Sequence, residues 1–292
     1  MRFDYYAATI DAPPKRIIDA FATLGSHVEN ADTLAKRYFY QQGFTVKNER
    51  FGTTATICAG GENGRTLAFA SGNNTDEFVK LIRSEFTDSH FVTRADAAQD
   101  FIDAKGYDSI RKIALKVAKE NRLAFSQRID ELNPNAGRTQ YVGSEKSNFR
   151  VRLYEKGFEQ LSHMKHHPAD MVFTTPEGLS VKPDEWIRLE LQARPQGDIA
   201  KALASHAAPA EIWGYSPWAH QLAQKTMQLD IERVTMRLHK QLEPEKAFQW
   251  MIKQYAKTML WQYEQLGSWA AVGSTIGDSI EQQAKAKRRM GA

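Results

Sequence analysis

The segment Trp186-Ile-Arg-Leu-Glu-Leu-Gln-Ala-Arg194 alternates without a break. Large apolar residues stand at 187, 189 and 191 and polar ones at 188, 190 and 192, the two-residue period of a strand with one face on a core. Phe149–Glu155 repeats the pattern, setting Val151 and Leu153 against Arg150, Arg152 and Tyr154. In the stretch from His90 to Ala98, Arg94 and Asp96 share a face in the same way. Apolar-in, polar-out alternation is the mark of antiparallel strands covered on one side, so these segments call for a sheet with helices packed on one face.

The remaining elements fit that frame. Phe3–Thr9 reads as a strand stopped by Asp11-Ala-Pro-Pro, and residues 14–24 as a helix with Ile17, Ala20, Phe21 and Leu24 inward. Strands are expected at Arg37–Gln41, Phe51–Ala59 and Thr66–Ser71, the last two forming a hairpin around Gly60-Gly61 and Asn63-Gly64. Helices are expected over Asn74–Glu85 and about Tyr107 to Asn121, then a strand pair, Thr139–Val142 and Phe149–Glu155, around Gly143–Asn148, then a helix over Phe158–His167. From Asp198 every periodic segment is helical: 198–206, 216–240, 244–265 and roughly 276–289. The expected fold class is α+β, a mostly antiparallel sheet over residues 1–195 followed by a helical C-terminal region over 196–292, either a domain of its own or helices packed on the sheet, with the candidate boundary near Pro195.

Composition narrows the function classes. Of 292 residues, 42% are hydrophobic and 25% charged, within the soluble globular range. No stretch reaches the roughly 20 apolar residues that span a bilayer, and the N-terminus reads as a strand rather than a signal peptide. A cytoplasmic location is therefore expected. The lone cysteine, Cys58, excludes an internal disulfide and a cysteine-rich zinc site. A net charge of +4 permits nucleic-acid binding without requiring it. Its clusters are more telling: Lys285, Lys287, Arg288 and Arg289 near the end, and Arg150, Arg152 and Lys156 in one short segment.

If the three alternating strands lie in one sheet, its polar face gathers carboxylates, guanidinium groups and a phenol. Hard oxygen ligands suit Mg²⁺ or Mn²⁺, arginine forks match phosphate oxygens, and a tyrosine can attack phosphorus. The same spacing also describes an ordinary solvated sheet face with cross-strand Arg–Glu pairs.

Resemblance adds to this reading. Arg94-Ala-Asp96 with Asp100, Tyr141-Val-Gly143-Ser144 with Ser147, Arg150-Val-Arg-Leu-Tyr154-Glu-Lys156-Gly, Trp186-Ile-Arg188-Leu-Glu190 and Trp213-Gly-Tyr-Ser-Pro-Trp218 occur in that order. Over about residues 90 to 220 the series resembles the replication initiation factor (Rep_trans) family of rolling-circle plasmids, filamentous phages and some conjugative elements. The resemblance implies a nicking enzyme whose tyrosine, corresponding to Tyr154, stays on the 5′ phosphate of an origin strand and frees a 3′ hydroxyl. It places the metal ligands on Asp96 and Glu190, with Arg152, Lys156 and Arg188 as phosphate contacts or leaving-group stabilisers. Arg94, Arg150 and the terminal Lys285, Lys287, Arg288 and Arg289 are further candidates for gripping DNA. The implied cofactor is Mg²⁺ or Mn²⁺. The implied partner is origin DNA, single-stranded or melted, in a bacterial host; a host helicase and a second copy of the chain complete the expected partners. Religation through a covalent link needs no ATP, and the chain has no Gly-x-x-x-x-Gly-Lys-[Ser/Thr] segment. A non-catalytic DNA-binding regulator on the same scaffold and a relaxase for conjugative transfer are the alternatives.

Other residues compete for these roles. Tyr5, Tyr6, Tyr107 and above all Tyr141 are rival nucleophiles, Asp100 and Glu155 are second-rank metal ligands, and Asp4 joins the same face if the first strand pairs centrally. His163, His166 and His167 fall on the expected helix rather than on a strand, unlike the His-x-His site of other rolling-circle initiators. Trp213, Trp218, Trp250, Trp261 and Trp269 read as helix-packing residues, with base stacking the alternative for one or two.

Overall fold

A computed structural model describes residues 1–62, 64–133, 136–164, 170–229 and 243–290. Strand β1 (Arg2–Ile10) leads to helix α1 (Pro14–Ala22), β2 (His27–Asn30), α2 (Asp32–Arg37) and a meander of β3 (Gln42–Asn48), β4 (Gly52–Ala59) and β5 (Thr66–Ser71). Helix α3 (Thr75–Glu85), the long β6 (His90–Ile102) and α4 (Gly106–Glu120) follow, then β7 (Phe125–Arg128), β8 (Thr139–Val142), β9 (Phe149–Glu155) and α5 (Lys156–Ser162). A small hairpin of β10 (Phe173–Thr174) and β11 (Ser180–Val181) precedes β12 (Trp186–Ala193). The rest is helical: α6 (Asp198–His206), α7 (Pro209–Ile212), α8 (Pro217–Met227), α9 (Glu243–Leu266) and α10 (Trp269–Met290).

Ten strands form one sheet in the order β2-β3-β4-β5-β1-β6-β12-β9-β8-β7, and every neighbouring pair is antiparallel. The expected α+β class and antiparallel sheet are thus found. Strands from the two ends of the sheet domain meet at its centre, where β12 lies between β6 and β9. One sheet face carries Ala95, Ala97, Val151, Leu153, Ile187, Leu189 and Leu191, all buried. They share a single core with Ile17 and Phe21 of α1, Phe78 and Ile82 of α3, Ala114 and Val117 of α4, and Ile212, Trp213 and Leu222 from the α7–α8 region. Removing this apolar surface from water is the main stabilising term.

Some expectations differ from the structure. Of the two ways the helical region was expected to sit, its first helices take the second: α6 and α7 pack on β6 and α8 on α4, all within a first unit, Met1–Leu238. The second unit contains α9 and α10 joined at Gly267, whose positive φ of 73° ends α9; Tyr263 and Trp269 pack with ring centroids 4.9 Å apart. The strand expected at Arg37–Gln41 is the end of α2 and a turn, and the true strand is β3. Asp32 explains the shift: its Oδ1 accepts from the Gly43 amide at 2.8 Å while Asn30 bonds its backbone amide at 3.1 Å, a local side-chain alternative to strand pairing. Strands β2 and β7 are short edges with weak sequence signals. Helix α5 begins at Lys156 and ends at Ser162; His166 and His167, like the 230–240 part of the long helix expected after residue 216, lie outside the described residues.

Helix α5 leaves β9 immediately and passes close to the segment before β12. A Cβ on Gly157 would sit 2.2 Å from the Pro183 carbonyl oxygen and 2.5 Å from its Cα. Gly157→Ala is therefore expected to lower stability by about 1–3 kcal/mol through a forced backbone shift, measured as a drop in melting temperature. A variant as stable as the wild type would show that this contact is slack.

Candidate functional site on the polar face of the central strands

Register places the polar residues of the central strands together. Arg188 on β12 stands opposite Asp100 of β6 and Tyr154 of β9; Glu190 stands opposite Ala98 and Arg152; Gln192 stands opposite Asp96 and Arg150. Strand β8 adds Tyr141 opposite Arg152, and β1 adds Tyr5 opposite Asp96. Directly opposed residues point to the same side of a sheet, so all of these share the face remote from the core. A register shift between Phe3 and Tyr5 in β1 turns Asp4 and Tyr5 both toward this face, while Phe3 and Tyr6 enter the core. Sequence alternation alone could not show that bulge.

Each carboxylate here is held by an arginine. Arg188, only 1% exposed, donates from Nε and Nη2 to the two oxygens of Asp100 at 2.6 and 2.7 Å, and from Nη1 to Asp4 at 2.8 Å. Arg2 donates to Asp4 at 3.2 Å. Arg94 grips both oxygens of the buried Asp96, through Nε at 2.8 Å and through Nη2. Arg152 donates to both oxygens of the buried Glu190 at 2.8 and 3.0 Å, and the Tyr154 hydroxyl donates to Glu190 Oε2 at 3.4 Å. Tyr154 is itself 5% exposed. The Arg152 guanidinium lies 4.7 Å from its ring centroid and the Lys156 ammonium 5.8 Å.

Burial sets the proton affinities. It pushes the Glu190 carboxyl up to about 7 against the pull of Arg152, with the negative charges of Asp96 and Asp4 adding to the rise. Burial, reinforced by the charge of Glu190, holds the Tyr154 phenol well above its ordinary range, and Arg188 and Arg152 oppose that rise. Tyr154 is therefore a protonated phenol with a carboxylate acceptor in place.

Accessibility sorts the basic candidates. The Arg152 side chain is 42% exposed and that of Arg94 33%, so both can meet a phosphate from solution. Arg150 lies over the Tyr141 ring at 4.0 Å and pairs with Glu145 at 3.5 Å. Lys156 starts α5 and pairs with Glu159 at 2.5 Å. Arg188, expected as a phosphate contact, is instead sealed beneath the face and saturated by Asp100 and Asp4. Asp100 is thereby a structural anion, and Glu155, bound through both oxygens by Arg138, stands apart from the central cluster. Lys285, Lys287, Arg288 and Arg289 fall on α10 at positions whose side chains lie outside the described set.

The tyrosines separate too. Tyr6 and Tyr107 are core residues of the opposite side, whereas Tyr5, Tyr141 and Tyr154 share the polar face. His163 is exposed at the end of α5, 3.7 Å from Glu159. Cys58 is a buried free thiol on β4.

The oxygen donors of Asp96 and Glu190 are of the class that holds Mg²⁺ or Mn²⁺, and one or two carboxylates suffice when substrate phosphate supplies further ligands. Among the described residues no group of three His, Cys, Asp or Glu side chains gathers as a metal cluster, and both carboxylates already carry a guanidinium that a cation would displace. No described helix is long and apolar enough to cross a membrane.

No family model matches the chain, and no curated protein matches it. Among solved structures, it is similar to a rolling circle replication initiator protein from Geobacillus stearothermophilus at 16% identity, over 80% of this chain and 97% of that one, with a TM-score of 0.46. It is also similar to the di-domain ARO/CYC StfQ of the steffimycin biosynthetic pathway at 12% identity, over 77% of this chain and 98% of that one, with a TM-score of 0.19. At these scores neither likeness decides what the chain does.

Removing Arg188 would leave Asp100 and Asp4 without their shared partner. Arg188→Met should therefore cost about 3–5 kcal/mol, as for other broken buried ion pairs, read by chemical denaturation. An unchanged midpoint would show the cluster to be solvated.

Glu190 supplies a pH signature. Its carboxyl binds a proton more tightly folded than unfolded, so the linked stability is fully present below the ordinary glutamate range. That stability is lost as pH rises toward about 7. In EDTA, melting temperature against pH should fall across this window in the wild type relative to Glu190→Gln; parallel curves would contradict the assignment.

Proposed function

We propose that this chain nicks and rejoins a DNA strand at a replication origin, with Tyr154 as the nucleophile. The observation that carries the reading is the Tyr154 hydroxyl hydrogen-bonded to Glu190 beneath the partly exposed Arg152, on a face built from β6, β12 and β9. The ordered resemblance of the residues from Arg94 to Trp218 to replication initiation factors supports it.

In this reading a scissile phosphate enters at Arg152 and competes with Glu190 for its guanidinium. Glu190, released from that partner, becomes a stronger base toward the Tyr154 proton. The phenolic oxygen forms a bond to phosphorus, the bond from phosphorus to the 3′ oxygen breaks, and the 3′ oxygen leaves and takes up a proton. The product is a 5′-phosphotyrosine and a free 3′ hydroxyl, and the reverse attack rejoins the strand. Arg152 and Arg94 stabilise charge on the phosphate oxygens. A divalent cation held by Asp96 and Glu190 would supply further neutralisation of that charge when bound. Arg188 acts through the sheet, fixing β1, β6 and β12 relative to one another.

A second reading, a non-catalytic DNA-binding protein on the same scaffold, draws on the burial of Tyr154. The test is incubation with labelled single-stranded origin DNA and Mn²⁺, followed by denaturing electrophoresis. Tyr154→Phe should abolish the covalent adduct while the affinity for the same DNA stays within about twofold, as expected when one hydroxyl on a buried ring is removed. An adduct that survives the substitution would move the nucleophile to Tyr141, and none from the wild type would favour the second reading.

A further inference from the structure

Beside the polar cluster the same sheet face turns aromatic. The Arg94 guanidinium lies 4.3 Å from the centroid of the Tyr5 ring, Tyr5 stacks on Phe69 at 5.9 Å, and Phe69 meets Tyr38 at 5.3 Å. Ala7, Ala35, Cys58 and Leu67 form the small buried base beneath these rings, and Tyr5, Tyr40 and Phe69 pack against it. Tyr38 remains 41% exposed.

Phe39 follows Tyr38 in the chain, in a backbone conformation that disfavours it. Helix α2 ends in a full Schellman turn: the Tyr40 amide donates to the Ala35 carbonyl at 3.1 Å and the Phe39 amide to the Lys36 carbonyl at 3.1 Å. The left-handed residue in such a turn is usually glycine, yet Phe39 occupies it at φ 65°. Its side chain is 89% exposed, so no core packing offsets the strain. Lys36 and Arg37, both exposed, close the same helix and lie beside it in sequence.

We propose that Tyr38 and Phe39, with Tyr38 backed by Phe69 and Tyr5, offer a stacking surface for unpaired bases of a nucleic-acid strand whose backbone reaches the Arg94–Arg152 face. The chemistry is that of a single-strand platform: sequence-tolerant π-faces flanked by cations for the phosphates. The inference rests on the reading of the neighbouring face as one that handles DNA, and it adds the means by which a melted strand is held. It also explains a phenylalanine where the turn calls for glycine.

The test uses the full chain, with a fluorescent thymidine oligomer and an abasic oligomer of equal length as probes. Wild type should bind the base-bearing strand about tenfold more tightly than the abasic one, the order of one stacked base. Tyr38→Ala and Phe39→Gly should each shrink that preference severalfold and leave the salt dependence unchanged. Phe39→Gly suits its turn better, so its melting temperature should be equal or higher, which separates lost stacking from lost folding. Absence of base preference in the wild type, or its persistence in both variants, overturns the proposal. Loss of preference in the variants supports it whether or not Tyr154 forms an adduct. A retained preference in Tyr154→Phe likewise supports a ledge that works apart from the chemistry.

Discussion

The guanidinium of Arg188 is the contact on which the polar face depends. A charge placed between strands and removed from water is tolerated only when its partners are fixed. Arg188 meets that condition with Asp100 through both oxygens and with Asp4 through its remaining nitrogen. Those partners lie on β6 and β1, so one side chain ties three adjacent strands and fixes their register. The same rule recurs outward, in Arg94 on Asp96 and Arg152 on Glu190. The face is thus a set of ion pairs that becomes more exposed from Arg188 toward Arg152.

That gradient separates architecture from chemistry. Arg188 is too deep to meet a ligand and acts as scaffold, while Arg94 and Arg152 stand where an anion can exchange with their carboxylates. Glu190 lies at the crossover. It is buried enough for its proton affinity to rise, and it shares an arginine that an entering phosphate could claim. Tyr154 is tied to this balance by its hydrogen bond to Glu190. The aromatic ledge continues the same face, so partly exposed guanidinium groups and aromatic rings lie side by side.

Much of this was legible in the residues. The alternations at 150–154 and 187–192 put Arg150, Arg152, Tyr154, Arg188 and Glu190 on one side and their apolar neighbours on the other, as the structure has them. Asp4 was legible only conditionally, because its place depends on β1 pairing at the centre of the sheet and on a bulge that breaks the period. The run Arg37-Tyr-Phe-Tyr-Gln41 misled: its aromatic residues signal a strand, but Asp32 and the Schellman turn hold it as a helix end. The reach of the first unit past α8 was also hidden, since an amphipathic helix reads alike whether it joins a sheet or forms a region of its own.

The sequence by itself determined which residues face together, because a strand's period is a local property of its backbone. It determined the α+β class for the same reason, and it supplied the resemblance that points to strand nicking. Only the tertiary structure decided which of those facing residues lie deep and which meet solvent. Neighbouring strands, not spacing, made Arg188 a sealed scaffold, Arg152 a reachable cation and Tyr154 a buried phenol on Glu190. Depth depends on what covers a residue from distant parts of the chain, and no local pattern encodes that.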